Sequence, residues 1–465
     1  MNEKCGVVAI ASNGNVAHSI FIALTALQHR GQEAAGMALY DNGKIECYRG
    51  LGLVGDAFKD FDMEKIEGQR GIGHVYYSVK ISTPENAQPT LLHTSAGDIA
   101  IAHNGIITNS GILKKELLET GHNFFYGNEE EAVIYLLADY LKEKTLEKAV
   151  KNMMKKLQGS YSFTLMVNER VFGLRDPLGI KPLCIGKLDD GYIIASESVA
   201  IDALGGEFIR DVEPGEMVEI TPEGYKSYKL MDERHRAYCF FEYVYFARAD
   251  SIMEGIEVYK ARENIGRMLA REHPVEADYV VPIPDSGRAH AYGYSKESGI
   301  PLAEGLMKNR YIARTFILPI QSTREKLVRL KVNPVKSIVK GRRIVLIDDS
   351  IVRGTTMKKI VQILRHHGAK EVHVRIGSPP IIAPCYFGID MTTRKQLMAS
   401  SRSIKEVEKK IGADSLAYIS IDGMVEAIGV EKEKLCLGCV TGEYPVKIEG
   451  EKYRFQEVLE KWKEE

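Results

Sequence analysis

Residues 344–356 read IVLIDDSIVRGTT and indicate the fold of the second half of the chain. The opening run of four apolar residues predicts a strand that is buried on both faces, as in a parallel sheet covered by helices. Four further apolar residues mark one face of a following helix: Met357, Ile360, Val361 and Leu364. Gly368 then precedes a second apolar run at 372–376. This β-loop-α-β order predicts an α/β domain that binds its ligand at the carboxyl ends of the strands.

The polar part of the same stretch has the chemistry of a sugar-phosphate site. Asp348 and Asp349 can accept hydrogen bonds from ribose hydroxyls and help to place Mg²⁺. Backbone N–H groups where the helix begins can hold a phosphate. The candidate loop residues are Ser350, Arg353, Gly354, Thr355 and Thr356. The stretch lacks the Gly-Lys-Ser/Thr of a Walker loop, and the alternative is a generic strand-to-helix turn with exposed acids.

Length and composition exclude several classes of protein. A chain of 465 residues predicts roughly two to four domains. The 62 basic and 63 acidic side chains give a net charge of -1, which favours neither nucleic acid nor acidic membranes as a partner. No apolar run is long enough to span a bilayer, and no signal-peptide core follows Met1. Seven cysteines are too few for a disulfide scaffold, so we expect a cytoplasmic protein.

The first half has the pattern of antiparallel β structure with a few helices. Asp41-Asn42-Gly43 between two short apolar runs predicts a β-hairpin. Residues 19–30 have helical spacing and stop at Gly31, which predicts a glycine that ends a helix. Near the other end of the chain, Ser403 and Glu406 predict a capping box. The polar stretch 223–236 predicts a domain boundary, with one domain at 5–230 and another at 231–465.

Cys5 gains significance from three segments that accompany it. Taken alone, a lone cysteine is most often a packing residue, and Asn-Gly is common in turns. The accompanying segments are His29–Glu33, His103-Asn104-Gly105 and Arg175–Gly179. Together they resemble the glutaminase half of the class II, N-terminal-nucleophile amidotransferases, which implies an α+β sandwich. By this resemblance the Cys5 thiolate attacks the side-chain amide of glutamine, and Asn104 and Gly105 form the oxyanion hole.

The same resemblance implies substrate-binding positions at Arg30, Tyr76 and Glu129. Two of them depart from the family pattern, because Tyr76 stands at the usual arginine that clamps the glutamine carboxylate and Glu129 at the usual aspartate. A tyrosine cannot supply a bidentate cation, and Lys80 is a candidate replacement. The family's base is the free amine of the nucleophile, so residues 1–4 are expected to be a propeptide that is cut before Cys5.

The second half resembles the type I phosphoribosyltransferases. Pro284-Asp285-Ser286 matches a loop in which the hydroxyl of Ser286 corresponds to a magnesium-associated position. A basic stretch at 321–331 resembles the loop that closes over pyrophosphate, although a basic loop is otherwise most often solvated surface. Its candidate substrate-binding residues are Arg324, Arg329 and Lys331.

The two halves in this order resemble the amidophosphoribosyltransferase family. The resemblance implies that ammonia from glutamine crosses the protein and displaces pyrophosphate from phosphoribosyl pyrophosphate, giving 5-phosphoribosylamine. It also implies Mg²⁺, feedback inhibition by purine nucleotides and a homotetramer. Two alternatives stay open: an ammonia-dependent transferase with an impaired glutaminase half, and a non-catalytic regulator that binds nucleotides. No basic stripe or helix-turn-helix pattern supports a nucleic-acid partner.

The remaining cysteines admit several interpretations. Cys436 and Cys439 are the only close pair, and spacing alone allows a redox pair, half a metal site or chance. One branch of the family carries a [4Fe–4S] cluster, and its ligand segments match this chain at Cys239, Cys385, Cys436 and Cys439. Zinc could use the same four ligands.

Overall fold

The structure is a computed structural model of the chain and describes residues 5–77, 83–231, 235–309, 332–389, 391, 393–446 and 448. Several predictions from the sequence fall outside these residues. They concern residues 1–4, Lys80, Arg324, Arg329 and Lys331. Within the described part, no helix combines the length and the apolar character that crossing a bilayer requires.

The first half, up to residue 231, is built mainly from strands. The strands are β1 (Gly6–Ser12), β2 (Ala34–Asp41), β3 (Lys44–Leu51), β4 (Arg70–Tyr76), β5 (Thr90–Thr94), β6 (Gly97–Ile107), β7 (Gly159–Val167), β8 (Arg170–Arg175), β9 (Cys184–Leu188), β10 (Gly191–Ala195), β11 (Glu207–Asp211), β12 (Glu216–Ile220) and β13 (Tyr225–Lys229). The helices are α1 (Ala17–Ala26), α2 (Val54–Ala57), α3 (Ser110–Glu119), α4 (Glu129–Leu141), α5 (Leu146–Lys156) and α6 (Val199–Asp202).

These strands form two antiparallel sheets packed face to face. Among the described residues one sheet has the order β11-β9-β10-β1-β4-β2-β3, and the other has the order β13-β12-β8-β7-β6-β5. Val7 and Ala9 of the first sheet share a buried core with Ala100 and Ala102 of the second. The outer face of the first sheet packs on α1, and that of the second packs on α4 and α5. The predicted α+β sandwich is confirmed.

In this half the predicted β-hairpin is confirmed, whereas the prediction that Gly31 ends the first helix is wrong. Strands β2 and β3 pair across Asn42 and Gly43, both with positive φ, as the turn requires. Helix α1 instead ends at Ala26, and a short 3-10 turn at Gln28–Arg30 follows it. Gly31 is extended with φ -158°. A side chain there would collide with the backbone of β4, since a Cβ would lie 2.5 Å from the nitrogen of Tyr76.

The second half contains mostly helices and a parallel sheet. Its strands are β14 (Tyr238–Cys239), β15 (Ile252–Met253), β16 (Ile256–Glu257), β17 (Tyr279–Pro282), β18 (Leu306–Lys308), β19 (Val332–Pro334), β20 (Arg343–Asp348), β21 (Glu371–Ile376), β22 (Ser415–Tyr418) and β23 (Leu435–Cys436). Its helices are α7 (Val258–Glu272), α8 (Arg288–Ser298), α9 (Lys336–Val339), α10 (Thr355–His366), α11 (Ile404–Ile411), α12 (Ile421–Ile428) and α13 (Gly438–Thr441).

The parallel sheet has the order β17-β20-β21-β22 among the described strands. Ile344 and Leu346 of β20 pack toward α10 and α11, whereas Val345 and Ile347 pack toward α7 on the other side. Strand β20 is therefore apolar on both faces because helices cover both faces. The predicted α/β domain with a parallel sheet is confirmed. The domain limits at 5–230 and 231–465 stay a prediction.

Candidate active sites

Cys5 lies at the start of β1 and is 5% exposed. The ladder between β1 and β4 pairs Gly6 with Val75, so Cys5 comes level with Tyr76 at the end of β4. Its φ of 62° is unusual for a residue with a side chain. The structure thus places the predicted nucleophile beside the position that the family resemblance assigns to substrate binding.

Asn104 and Gly105 lie side by side on β6, opposite Ser162 and Tyr161 of β7. Gly105 has φ 146°, and a Cβ there would collide with the carbonyl oxygen of Ser160. Only glycine can turn the backbone at this point. The strand of Asn104 is also tied to the strand of Tyr76, because His74 Nε2 donates to the carbonyl of His103 at 3.0 Å. The two strands that carry the predicted glutamine site are therefore held together.

A buried polar network, which the sequence did not reveal, supports the strand with the oxyanion residues. His103 Nδ1 and Gln88 Nε2 each donate to Glu130 at 3.0 Å, and the backbone N–H of His103 donates to Gln88 Oε1 at 2.7 Å. Burial alone would raise the pKa of Glu130, but the hydrogen bond from His103 holds it below its usual value. Burial lowers the pKa of His74 to about 4. Three distant segments supply this network, and the only local signal was the run of acids at 129–131.

Glu129 begins helix α4 and lies near the end of the same strand. Its Oε2 accepts a hydrogen bond of 2.8 Å from the N–H of Ile107, two residues beyond Gly105. The neighbouring Glu131 is fully buried and accepts three backbone N–H groups, those of Phe125, Tyr126 and Gly127. These bonds fix the beginning of α4 against β6. The role of Glu129 toward the amino group of glutamine stays a prediction.

In the second half, two strand ends bring Ser286 and the paired acids to one edge of the sheet. Strands β17 and β20 run parallel, and the N–H of Ile283 donates to the carbonyl of Ile347 at 2.8 Å. The loop with Ser286 therefore lies beside Asp348 and Asp349. The N–H of Asp349 donates to Asp348 Oδ1 at 3.0 Å, and the hydroxyl of Ser350 donates to Asp349.

The two carboxylates give this edge its electrostatic character. Burial, and then the charge of Asp349, raises the pKa of Asp348 well above its usual value. Two adjacent acids that repel each other are stabilised by a cation or by hydroxyl donors. The donor set of Asp348, Asp349 and Ser286 consists of oxygen atoms, which suits Mg²⁺.

The loop that follows is shaped for an anion. Gly354 has φ 69°, and a Cβ there would collide with the side chain of Met398. Thr355 and Thr356 are exposed in the first turn of α10, which is 12 residues long. The side chain of Arg353 reaches outward and donates to Gln396 at 2.9 Å. The first N–H groups of a helix have no acceptor within the helix, so the beginning of α10 and its two hydroxyls suit an anion. The role of this loop toward a phosphate stays a prediction.

Comparison with known proteins agrees with both halves. Residues 74–203 match the glutamine amidotransferase domain, and residues 257–376 match the phosphoribosyl transferase domain. The amidophosphoribosyltransferase of Archaeoglobus fulgidus is 52% identical over 453 residues, which cover 96% of this chain and 99% of that protein. The corresponding enzyme of Bacillus subtilis is 42% identical over 454 residues, covering 96% of this chain and 95% of that protein. The chain belongs to the amidophosphoribosyltransferase family.

A solved structure supports the same conclusion. The phosphoribosyl pyrophosphate amidotransferase of B. subtilis, in complex with ADP and GMP, matches with a TM-score of 0.90 at 42% identity, covering 96% of this chain and 98% of that one. The chain is therefore a glutamine-dependent pentosyltransferase that makes 5-phosphoribosylamine from phosphoribosyl pyrophosphate, as the sequence predicted. The alternative of a non-catalytic regulator is not supported.

Three of the four candidate cluster cysteines are buried, and Cys385 is partly buried. Cys239 and Cys436 pair directly in the short parallel ladder of β14 and β23. The carbonyl of Cys439 accepts the N–H groups of Ile382 and Ala383 at 2.9 and 3.1 Å, which holds it near Cys385. Burial raises the pKa of Cys239 to about 12. Burial, and then the neighbouring cysteines, also raise the pKa of Cys436 and of Cys439. The fold thus gathers the four thiols at one place.

Arg30 and Lys181 join this cysteine site to the glutamine site. Arg30 donates to both oxygens of Glu242, at 2.6 and 3.3 Å, and also to Glu197. Lys181 Nζ lies 3.6 Å from Glu242 Oε1. Burial would raise the pKa of Glu242, but Arg30 and Lys181 together hold it below its usual value. In this conformation the guanidinium of Arg30 binds carboxylates between the halves, and its predicted contact with substrate stays a prediction.

Proposed function

We propose that Cys5 is the nucleophile that releases ammonia from glutamine, and that the ammonia reacts at the Asp348–Thr356 loop. The observation that carries the proposal is the register of β1, β4 and β6, which sets Cys5 beside Tyr76 and ties their sheet to the strand of Asn104 and Gly105. If Cys5 served only in packing, there would be no reason for the second sheet to place a buried Asn104 and an obligatory glycine, Gly105, on the strand tied to its own sheet.

In the first reaction the Cys5 thiolate attacks the amide carbon of glutamine and forms a thioester as ammonia leaves. The side-chain amide of Asn104 and the N–H of Gly105 stabilise the negative charge that develops on the carbonyl oxygen. The free α-amine of Cys5 accepts the thiol proton and returns it to the leaving nitrogen, which requires removal of residues 1–4. Water then hydrolyses the thioester to glutamate.

In the second reaction ammonia attacks C1 of the ribose and pyrophosphate leaves. Asp348 and Asp349 accept hydrogen bonds from the ribose hydroxyls, and the first turn of α10 with Thr355 and Thr356 holds the 5′-phosphate. Mg²⁺ would be held by Ser286, Asp348 and Asp349 and would neutralise charge on the departing pyrophosphate. The protein's own contribution at this centre is largely positioning.

For the four cysteines we propose a [4Fe–4S] cluster rather than zinc. Four thiols from three separate segments, three of them buried and that of Cys385 partly so, converge without a disulfide among the described cysteines, which is the ligand set of such a cluster. A single zinc ion needs its sulfurs about 2.3 Å from the metal, hence crowded together. No group of three or more His, Cys, Asp or Glu in the described ranges is arranged to hold one metal ion. The cluster is favoured because the four positions match the ligand segments of the family branch that carries one.

The remaining properties are proposals by family membership. Purine nucleotides inhibit the enzyme by feedback, a proposal supported by the B. subtilis relative, which was solved in complex with ADP and GMP. A homotetramer and a cytoplasmic location complete the proposal. Size-exclusion chromatography with light scattering tests the tetramer, and inhibition of the purified enzyme by AMP and GMP tests the regulation.

The decisive experiment compares glutamine and ammonium as nitrogen donors. Anaerobically purified protein is given phosphoribosyl pyrophosphate and Mg²⁺, and donor-dependent release of pyrophosphate is measured. We expect Cys5→Ala to abolish the reaction with glutamine and to leave the reaction with ammonium within about twofold, because only the first site uses the thiol. Cys47→Ala, at a cysteine on β3 outside both sites, is the matched control and should retain both reactions.

Two other outcomes have distinct meanings. If folded Cys5→Ala protein loses the reaction with ammonium as well as the reaction with glutamine, the two-site assignment is contradicted. A wild-type enzyme that uses only ammonium would support the alternative of an impaired glutaminase half. Tyr76 in place of the clamping arginine is the specific substitution that would explain the impairment. Intact mass then separates the causes, since retention of residues 1–4 would block the Cys5 amine, whereas a correctly cut chain would implicate Tyr76.

A further inference from the structure

Lys181 is a buried cation that neither predicted reaction uses. Its side chain is 3% exposed, and its ammonium lies 3.6 Å from Glu242 and 5.7 Å from the ring centre of Phe246. Its backbone is fixed as well, because its carbonyl accepts hydrogen bonds from Arg175 at 2.8 Å and from Ser162 at 3.2 Å. A fully buried ammonium is costly unless it balances negative charge nearby.

On one side Lys181 faces the four-cysteine site. The backbone N–H of Cys239 donates to the carbonyl of Ile180, the residue before Lys181, at 3.2 Å. The thiols of Cys239 and Cys385 also act electrostatically on the ammonium of Lys181. A cluster held by four thiolates adds net negative charge to this buried place, and charge near a cluster is one of the factors that set its reduction potential. Among the described residues, Lys181 is a buried cation in position to balance that charge.

On the other side Lys181 reaches the glutamine site by two routes. The first runs through Glu242 to Arg30, whose Cδ would lie 3.2 Å from a Cβ at Gly6, the residue after the nucleophile. The second runs through Gly388, where a Cβ would lie 3.0 Å from Lys181 Cε and 3.4 Å from Gly105 Cα.

The neighbouring backbone reinforces the second route. Ser160 Oγ donates to the carbonyl of Phe387 at 2.7 Å. Because Cys385 is only two residues from Phe387, the segment that carries one cluster cysteine is bonded to β7, the strand that pairs with the oxyanion strand β6. Displacement of this segment would therefore shift the backbone at Gly105.

We propose that Lys181 is a positioning residue that couples the charge of the four-cysteine site to the glutamine site. Its ammonium balances the thiolates and Glu242 together. Without it, Glu242 faces a negatively charged cluster, and repulsion displaces Glu242 and Arg30 against Gly6. The inference rests on the proposed cluster and on the proposed glutamine site.

The test compares Lys181→Met, which keeps the length but removes the charge, with Lys181→Arg, which restores a cation. The first readout is the midpoint reduction potential, followed by electron paramagnetic resonance during a redox titration of anaerobic protein. We expect a more negative potential for Lys181→Met, because loss of a nearby positive charge disfavours the reduced cluster. Lys181→Arg should remain close to wild type.

The second readout separates the two active sites. Lys181→Met should lose tenfold or more in kcat/KM for glutamine while its ammonium-dependent rate stays within twofold, and Lys181→Arg should recover most of the loss. Lys187→Met, at an exposed lysine on β9, is the matched control and should change neither readout. An unchanged potential in Lys181→Met, or equal losses with both donors, would overturn the proposal.

A double variant covers the case in which Lys181→Met does not fold. Lys181→Met with Glu242→Gln removes one charge of each sign, so the potential should return toward wild type. Glutamine use should stay low, because Arg30 keeps Glu197 but has lost the carboxylate that joins it to the second half. Retention of full glutamine use in the double variant would contradict the coupling.

Iron analysis of the wild-type protein separates failure of the proposed cluster from failure of this inference. Absence of iron would overturn both. If the wild type contains iron but Lys181→Met changes neither the potential nor glutamine use, only this inference is overturned.

Discussion

At the residue scale, Gly105 connects backbone shape with the proposed chemistry. The positive φ of 146° and the collision that a Cβ would have with the carbonyl of Ser160 leave no room for another residue. The sequence indicated Asn104 and Gly105 only through their resemblance to a family motif, because Asn-Gly alone predicts a turn. The structure places the pair inside an 11-residue strand instead.

We therefore predict that Gly105→Ala lowers the glutamine-dependent rate by about 10²–10³-fold, the usual cost of losing one oxyanion donor. The added methyl group forces the backbone away from Ser160 and turns the N–H out of the site. Steady-state rates with glutamine and with ammonium measure the effect, and the ammonium reaction should persist. Gly111→Ala in α3, where a Cβ would meet nothing within 4 Å, is the control and should keep both rates. A Gly105→Ala enzyme with normal glutamine use would refute the assignment.

At the element scale, sequence patterns predicted the strands, turns and helices whose formation depends on residues close together in the chain. The hairpin of β2 and β3 and the unit β20-loop-α10-β21 were predicted, because turn residues and apolar spacing act within a few residues. The end of α1 was not, since Gly31 is required by contact with β4 far along the chain. The capping box at the start of α11 was predicted and is confirmed in both of its hydrogen bonds.

Ser403→Ala should lower the free energy of unfolding by about 1 kcal/mol, because it leaves helical N–H groups of α11 without an acceptor. In the wild type, Ser403 Oγ accepts from the N–H of Glu406 at 3.3 Å, and Glu406 accepts from the N–H of Ser403 at 2.8 Å. Urea unfolding followed by circular dichroism measures the change. Lys405→Ala on the exposed side of the same helix is the comparison and should stay within about 0.5 kcal/mol. An equal effect of both variants would show that the cap does not stabilise the helix.

At the scale of the whole molecule, the two halves share buried charges as well as apolar contacts. Arg30 and Lys181 come from the first half and Glu242 from the second, and all three side chains are at most 3% exposed. The sequence predicted Arg30 as a substrate ligand but gave no sign of its buried carboxylate partners, which lie 167 and 212 residues away. Such pairings depend on how the halves pack, which no local pattern encodes.

Glu242→Gln tests how much this junction contributes to stability. Removing one partner of a buried ion pair typically costs about 3–5 kcal/mol, because the remaining charge stays buried without compensation. Glu197 still pairs with Arg30, so we expect a loss of about 3 kcal/mol in the first unfolding transition, measured by urea titration of anaerobic protein. The control is Glu213→Gln, which breaks an exposed pair with Arg236 at 2.9 Å and should cost at most about 1 kcal/mol. If Glu242→Gln costs no more than Glu213→Gln, apolar contacts rather than charges hold the halves together, and the route from Lys181 to Arg30 loses its physical basis.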